Sequence, residues 1–210
     1  MGNNNSNVTP INKEANWDKS KTIISRTDKY GTIVSVNKAF VETSGYTEKE
    51  LVSKSHNIIR HPDMPKCIFK ILWNNLKNGE NFFGIVKNLT KNGEYYWVLT
   101  DFDIIKDKKG VIVNYEAKRI AIPQEIITTE IEPLYGRIAK LEAFYGENGG
   151  ENYLNGFLEK ENKSYVEYIR FLIDKYGVVN DYTEVSLNNE EDNRVFCENY
   201  LARQIKTKIL

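Results

Sequence analysis

Alternating apolar and polar positions predict five β-strands in the first 120 residues of the chain. Two strand-like runs, residues 22–26 and 32–36, flank a turn signal at 28–31 that ends in glycine, which favours a hairpin. Three longer runs follow at residues 81–89, 94–105 and 111–120, separated by short turns that also end in glycine. This pattern predicts one antiparallel sheet.

Between the hairpin and the third strand the pattern becomes helical. A short helix is predicted over residues 37–40, and the capping-box spacing of Thr47 and Glu50 signals a second one. A longer helix is predicted over residues 65–77, because its apolar residues fall on one broad face. The order of elements predicts an α+β fold, in which the helices lie on one face of the five-stranded sheet.

The last third of the chain predicts a helical extension. Apolar residues at three- and four-residue spacing predict a connecting helix over 124–145, with a break near Thr129 because Pro133 removes a backbone donor. The glycine-rich run 146–150 predicts a linker. Residues 151–210 then predict one helix that ends at Gly177 and another over about 189–206.

The N-terminal residues differ from the rest in composition. Residues 1–16 are rich in asparagine and poor in apolar side chains, so they predict a disordered leader. The predicted division of the chain is therefore a leader at 1–16, a main domain at 17–123, a connecting helix at 124–145, a linker at 146–150 and an extension at 151–210.

Charge and composition exclude several classes of function. The 29 basic residues equal the 29 acidic ones, so no global field favours nucleic acid or an anionic membrane. No apolar run approaches the length of a membrane span, so we expect a cytoplasmic protein without direct membrane insertion. Cys67 and Cys197 lie far apart and predict free thiols. Catalytic groupings and glycine-rich phosphate loops are missing, so we expect no enzyme.

The segment from residue 56 to residue 65 holds both histidines of the chain, together with Arg60 and Asp63. These polar groups lie between apolar residues, where they cost desolvation energy unless they find partners. In a simpler alternative, Asp63 only caps the next helix and Arg60 neutralises it. That alternative does not explain why the helix presents Phe69 and Trp73 toward the same place, so we favour a ligand pocket.

This segment, with the blocks 84–88, 91–93 and 96–97, resembles the PAS sensor domain of bacterial aerotaxis receptors, which bind FAD. The likeness covers about residues 20–140. It implies the PAS fold, in which sheet and helices form a cupped palm around the ligand. The chain also resembles stand-alone PAS proteins of the split energy-taxis type, so the implied partner is a chemoreceptor or another signalling protein, or a second copy of the chain.

The resemblance implies nine cofactor-binding residues: Asn37, His56, Arg60, His61, Asp63, Phe69, Trp73, Asn88 and Tyr96. The family's basic motif is matched directly by Arg60, His61 and Asp63, and a guanidinium suits a diphosphate or a dispersed anion. The sequence does not decide which of Arg60 and His61 faces the flavin ring. Asn88 is either a turn former or an amide at the flavin edge, and Asn37 is either an N-cap or a neighbour of the cofactor.

Other PAS ligands compete with FAD. Haem is one, since His56 or His61 could ligate iron, although the axial histidine of haem-binding PAS domains usually occupies another place in the fold. Light-driven adduct formation needs a reactive cysteine in a motif that this chain lacks, and Cys67 lies in the wrong context. A sensor of another small molecule and a PAS interaction or dimerisation module without cofactor are the remaining alternatives.

Overall fold

A computed structural model describes residues 8–178 of the chain, and its centre is a five-stranded antiparallel sheet. The strand order is β2-β1-β5-β4-β3, so the first and last strands of the chain pair at the middle of the sheet. All five predicted strands are confirmed, and their ends differ from the predicted ones by at most two residues. They are β1 Ile23–Asp28, β2 Ile33–Val36, β3 Phe83–Leu89, β4 Tyr95–Lys106 and β5 Ile112–Ile120.

The turn between β1 and β2 shapes both the hairpin and the helix packed against it. The Asp28 carboxylate accepts hydrogen bonds from the backbone N–H groups of Tyr30 (2.8 Å) and Thr32 (2.9 Å). Gly31 has φ +85°, which L-residues rarely adopt. A Cβ at this position would also lie 3.0 Å from the Trp73 ring, so the turn needs glycine for its conformation and for the close approach of the indole.

The helices between β2 and β3 follow the prediction closely. They are α1 Lys38–Ser44, α2 Glu48–Leu51, a 3₁₀ turn at His56–Ile59 and α3 Lys66–Lys77. The capping box of Thr47 and Glu50 is confirmed. The first helix is longer than predicted and ends where Gly45 adopts the left-handed region at φ +74°.

The connecting helix contains the predicted break. It consists of α4 Gln124–Ile126, a π-helical turn Ile127–Ile131 and α5 Glu132–Tyr145. Pro133 has no N–H to donate into the preceding turn, so that turn widens. The Thr129 hydroxyl donates to the backbone carbonyl of Glu125 (2.6 Å), which gives a side-chain partner to a carbonyl at the break.

The predicted linker at 146–150 is wrong. Only Gly146 lies outside a helix, since α6 spans Glu147–Glu161. A Cβ on Gly150 would lie 2.4 Å from Cγ of Glu142, and one on Gly149 would lie 2.6 Å from Cβ of Tyr145. The glycines therefore allow α5 and α6 to pack closely, and flexibility was the wrong interpretation of the same residues.

The single helix predicted after residue 150 is two helices. Asn162, at φ +50°, separates α6 from α7 Tyr165–Lys175, and a capping box of Ser164 and Glu167 starts α7. The pattern of apolar residues continues across this break, which is why the sequence predicted one helix. The helix expected at 189–206 lies outside the described residues.

The predicted disordered leader is wrong for residues 8–16. Their backbone runs beside the start of β4, where Ile11 N–H donates to the carbonyl of Gly93 (2.8 Å) and Ala15 N–H donates to that of Tyr95 (2.7 Å). Backbone pairing with an existing strand compensates for the low apolar content of this segment. Apart from this leader and the linker, the predicted division of the chain into domains stays a prediction.

The last helices pack on the sheet edge formed by β3 and on α3. The Tyr135 hydroxyl donates to the carbonyl of Ile85 (2.9 Å), the Ile85 N–H donates to the Tyr165 hydroxyl (3.4 Å), and the two hydroxyls bond to each other. Lys70 of α3 pairs with Glu151 of α6 at 2.6 Å. These contacts cover an edge that would otherwise expose unpaired backbone groups. Within residues 8–178, no helix has the length and apolar character needed to cross a bilayer.

Candidate functional site

A cavity of about 630 Å³, including the part that is open to solvent, lies between the sheet and α3. One wall is α3, which contributes Phe69, Leu72 and Trp73. The opposite wall is the inner face of the sheet, where the lining residues are Ser25, Thr27, Val86, Asn88, Thr100, Phe102, Tyr115, Ala117 and Arg119; Gly31, His56, Asn57 and Arg60 complete the lining.

The helical side of the cavity is aromatic. The rings of Trp73 and Tyr115 meet edge to face, with their centroids 6.0 Å apart. The guanidinium of Arg60 lies over the Phe69 ring, 3.9 Å from its centroid. An aromatic surface with a stacked guanidinium at its side suits a flat, electron-poor ligand that also carries negative charge.

Two polar atoms on the sheet wall have no hydrogen-bond partner within residues 8–178. They are Nδ2 of Asn88 and Oγ1 of Thr100, and these two residues are 3% and 1% exposed. Leaving a buried polar group unpaired costs roughly 1–3 kcal/mol. Because both side chains line the cavity, a polar ligand there would recover this free energy.

Arg119 places a buried positive charge at the cavity. Its side chain, 3% exposed, donates to Ser25 Oγ (2.9 Å), to the carbonyl of Ala117 (3.3 Å) and to His56 Nε2 (3.0 Å). Within residues 8–178 no carboxylate pairs with it. Burial lowers the pKa of Arg119 to about 10, so the guanidinium stays charged at neutral pH. A buried cation with only neutral partners favours an anionic or strongly polar ligand.

His56 is neutral in this arrangement. Its Nε2 accepts from Arg119, so the proton resides on Nδ1. Burial and the charge of Arg119 both hold the pKa of His56 well below its usual value. The Ser25 hydroxyl lies 3.1 Å from the same nitrogen. This nitrogen is therefore already engaged by protein groups.

The structure brings five of the nine predicted site residues to the cavity: His56, Arg60, Phe69, Trp73 and Asn88. The interpretation of Asn88 as a turn former is wrong, because this residue lies inside β3 with its side chain in the cavity.

His61 and Asp63 do not line the cavity. His61 is buried, its Nδ1 accepts from the backbone N–H of Asp63 (3.1 Å), and its ring meets that of Tyr95. Burial and the nearby Lys87 charge lower the pKa of His61 to about 4, so it is neutral rather than a second positive charge. The Asp63 carboxylate pairs with Lys87 at 3.2 Å. The turn that follows Arg60 thus satisfies its own polar groups.

Asn37 and Tyr96 also lie away from the cavity lining. Asn37 is the N-cap of α1: its Oδ1 accepts from Phe40 N–H and Ile24 N–H, both at 3.0 Å, and its Nδ2 donates to the carbonyl of Thr22 (2.8 Å). Tyr96 is fully buried and meets Trp17 edge to face. The alternative in which Asp63 caps α3 is wrong as well, since Glu142 takes that place.

Sequence reasoning missed Arg119 and Thr100. A signal for Arg119 was present, because Lys118 and Arg119 are adjacent in a strand and side chains alternate between its two faces. One of these two cations had to point inward. Thr100 gave no such signal, since a threonine is ordinary on either face of a strand.

Comparison with known proteins gives a consistent result. Residues 33–117 match the family model described as the PAS fold. The Aerotaxis receptor of Escherichia coli (strain K12) is 44% identical over 114 residues, which are 54% of this chain and 22% of that protein. The Biofilm dispersion protein BdlA of Pseudomonas aeruginosa is 26% identical over 88 residues, 41% of this chain and 21% of that protein. The chain thus spans about a fifth of the length of these relatives.

Among solved structures, a light-oxygen-voltage domain studied with a flavin analogue aligns with TM-score 0.49 and 17% identity, over 54% of this chain and 87% of that one. The light-state Aureochrome1 LOV structure aligns with TM-score 0.48 and 18% identity, over 53% and 89%. Likeness at this level carries no information on function.

Proposed function

Since residues 33–117 match the PAS-fold model and the chain forms a five-stranded antiparallel sheet with helices packed on it, we propose that the cavity binds FAD and that the protein is a redox sensor in energy taxis, not an enzyme. The observation that carries the proposal is the buried charge of Arg119, which no carboxylate within residues 8–178 pairs, beside the unpaired amide nitrogen of Asn88, both on the wall opposite Phe69 and Trp73. The 44% identity to a protein named Aerotaxis receptor supports the same conclusion.

The residues present fit this cofactor. Phe69 and Trp73 offer a flat apolar surface, and Asn88 offers both a donor and an acceptor to the polar edge of a ring. Arg60, on the cavity lining, carries a fork of donors that suits a diphosphate. Bound FAD would supply reversible uptake of electrons. The charge of Arg119 would then stabilise negative charge added inside the cavity, where low polarity strengthens the interaction.

Haem fits less well. Both histidines of the chain lie in the described part, and Nε2 of His56 already accepts from Arg119. His61 does not line the cavity, and its Nδ1 accepts from Asp63 N–H. An iron ligand would require one of these hydrogen bonds to break.

The proposed partner is a chemoreceptor or another signalling protein, or a second copy of the chain, and the proposed location is the cytoplasm. The contact would form on the helices after residue 123, because Tyr135 and Tyr165 bond to Ile85 in the strand that also carries Asn88. A change of charge in the cavity has a short route through β3 to these helices. Steady-state turnover of NADH or NADPH at more than trace level would contradict the proposed absence of enzymatic activity.

Titration of ligand-free protein with FAD, followed by flavin fluorescence, tests the proposal. We expect saturable binding at one FAD per chain, weaker binding of riboflavin because it lacks the diphosphate that Arg60 would contact, and weak binding of ADP because it lacks the ring. Haemin serves as the competing ligand. Saturable haemin binding without FAD binding would replace the proposal, and the absence of binding by either would leave a PAS interaction module.

A further inference from the structure

The first turn of α3 is capped by Glu142, a residue of α5 that is distant in sequence. The N-terminus of α3 has no side-chain cap of its own, since Pro65 precedes it. Instead, the Glu142 carboxylate of α5 accepts from the backbone N–H of Lys66 through Oε2 (2.8 Å) and from that of Cys67 through Oε1 (2.9 Å). A carboxylate at this place satisfies two orphan donors and complements the helix dipole.

The position of Glu142 is built by α6 as well as α5. A Cβ on Gly150 would lie 2.4 Å from Cγ and 3.0 Å from Oε1 of Glu142. Only glycine leaves room for the carboxylate between α6 and the start of α3. Lys70 and Glu151 add a second contact between the same two helices, at 2.6 Å.

This cap acts on the cavity through α3 and Arg60. The helix that Glu142 holds carries Phe69 and Trp73 of the cavity wall. Glu142 and Glu147 are the acidic groups that raise the pKa of Arg60 against the effect of its burial. Each Glu142 oxygen accepts from a backbone donor, and neither forms an ion pair with Arg60 within residues 8–178. The Arg60 guanidinium therefore remains available to a ligand.

We propose that Glu142 is a positioning residue of the ligand cavity: the C-terminal helices hold the first turn of α3 through its carboxylate, so that ligand binding and the docking of α5 and α6 stabilise each other. The proposal rests on the proposed function for the identity of the ligand, FAD. By linkage, any ligand that requires α3 in this position also strengthens the contact of Glu142 with the helix.

Cys67 reports on this contact without any ligand. It lies directly under the cap and is 1% exposed, and burial together with the Glu142 carboxylate raises the pKa of its thiol to about 12, so it should react slowly with a disulfide reagent. In a Cys197→Ser background, we measure labelling of Cys67 by a chromogenic disulfide in ligand-free protein. Glu142→Gln loses the charge and one acceptor, so we expect labelling roughly tenfold faster than in the parent protein. Because Glu142→Gln also removes this charge from the thiol, Gly150→Ala, which keeps the charge, is the deciding variant.

The chain offers matched controls. Glu151→Gln removes a carboxylate of α6 that pairs with the Lys70 side chain of α3 and accepts from no backbone donor of α3 within residues 8–178. Its charge contributes less than that of Glu142 to the pKa of Cys67, so labelling should stay within about twofold of the parent. Gly150→Ala displaces the Glu142 carboxylate without removing it and should accelerate labelling as Glu142→Gln does. Gly156→Ala adds a methyl to the same helix, α6, at a place where nothing lies within 4 Å, so it should not accelerate labelling. Far-ultraviolet circular dichroism checks that each variant is folded.

An FAD titration of the same variants tests the coupling. We expect FAD to slow Cys67 labelling in the parent, and roughly tenfold weaker FAD binding in Glu142→Gln and Gly150→Ala than in their controls. Equal labelling in Glu142→Gln and Glu151→Gln would overturn the proposal, and so would accelerated labelling with unchanged FAD affinity. If neither the parent protein nor any variant binds FAD while Glu142→Gln and Gly150→Ala are still labelled faster than their controls, the proposed ligand is wrong, and the positioning of α3 by Glu142 stands.

Discussion

Two polar regions meet at Arg60, and they differ in how their groups are satisfied. In the turn after Arg60, His61, Asp63 and Lys87 bond to one another or to the backbone. On the sheet wall of the cavity, the partners of Arg119 among residues 8–178 are all neutral, and the amide nitrogen of Asn88 has no partner among them. The turn looked more like a site in the sequence because its charges are concentrated. Unpaired buried groups, rather than the density of charge, mark the place that suits a ligand.

The same contrast occurs between neighbours in β5. Lys118 and Arg119 are 4% and 3% exposed, but they point to opposite faces of the sheet. Lys118 lies 2.9 Å from Asp103 and 3.7 Å from Glu116, whereas no carboxylate within residues 8–178 pairs with Arg119. One cation is compensated by the protein, and the other would be compensated by the ligand.

Exchange of these two cations for methionine should give the largest effects. Arg119→Met should weaken FAD binding roughly 100-fold, because a charge-assisted hydrogen bond contributes about 3 kcal/mol. Without ligand it should be neutral or stabilising, since an uncompensated buried charge is removed. Lys118→Met should leave FAD binding unchanged and cost roughly 1–3 kcal/mol of unfolding free energy, because it removes the buried ion pair with Asp103, while Glu116 keeps its ion pair with Arg26.

Calorimetric titration and urea unfolding of both variants provide the measurements. If Arg119→Met binds FAD as tightly as the parent protein, the buried charge does not mark the ligand site, and the comparison between the two cations fails.

Acidification should destabilise the protein through His61, in the turn after Arg60. The pKa of His61 is about 4 in the folded protein and about 6.5 when unfolded, so the unfolded chain binds more protons between these values. Stability is therefore unaffected above pH 6.5, falls as the pH drops toward 4, and has lost roughly 3 kcal/mol below that. His61→Asn keeps an acceptor and should reduce this loss, as measured by urea unfolding from pH 7 to 4.

FAD affinity at pH 7 is the control for this variant, and it should not change because His61 does not line the cavity. An identical pH dependence in His61→Asn and the parent protein would show that the folded-state pKa of His61 is not depressed.

The fold was predictable because its signals are local. Alternation along each strand, glycine-ended turns and the Thr47 capping box needed only nearby residues, and all of them are confirmed. The glycines at 149 and 150 were misinterpreted because a close helix contact and a flexible linker use the same residue type, and only the position of Glu142 distinguishes them.

The cavity was predictable on its helical side only. Phe69 and Trp73 follow from helical spacing, and their contacts with the cavity follow from one helix face. The sheet side combines Ser25, Thr100 and Arg119 from three strands, and this meeting depends on the strand order β1-β5-β4, which no local pattern in the sequence specifies.

The roles of two asparagines, which the sequence left ambiguous, should be distinguished by smaller effects on stability and on FAD affinity. Asn37→Ala loses the N-cap of α1 and should cost roughly 1–2 kcal/mol of unfolding free energy, with little change in FAD affinity. Asn88→Ala should weaken FAD binding about tenfold, in keeping with the loss of one hydrogen bond, and should leave ligand-free stability nearly unchanged because its Nδ2 has no partner. The opposite assignment of effects would contradict the site described here.

The smallest effect is expected for the reduction potential of an Arg60 variant. Arg60 lies over Phe69, and if it contacts the diphosphate, Arg60→Ala should weaken FAD retention about tenfold and change the potential little. A positive charge about 4 Å from the ring would contribute roughly 1–4 kcal/mol, so its loss would lower a one-electron potential by about 40–170 mV. Spectroelectrochemistry distinguishes a position of Arg60 at the diphosphate from one at the ring, and a drop in potential of that size would place Arg60 at the ring.

The absorption spectrum of the protein purified without added cofactor tests the central claim most directly. We expect the bands of an oxidised flavin, and chromatography of the supernatant after denaturation should identify the released flavin as FAD. A Soret band would show that the cavity holds haem, and a colourless protein that takes up no FAD would show that Arg119 and Asn88 do not form a flavin site.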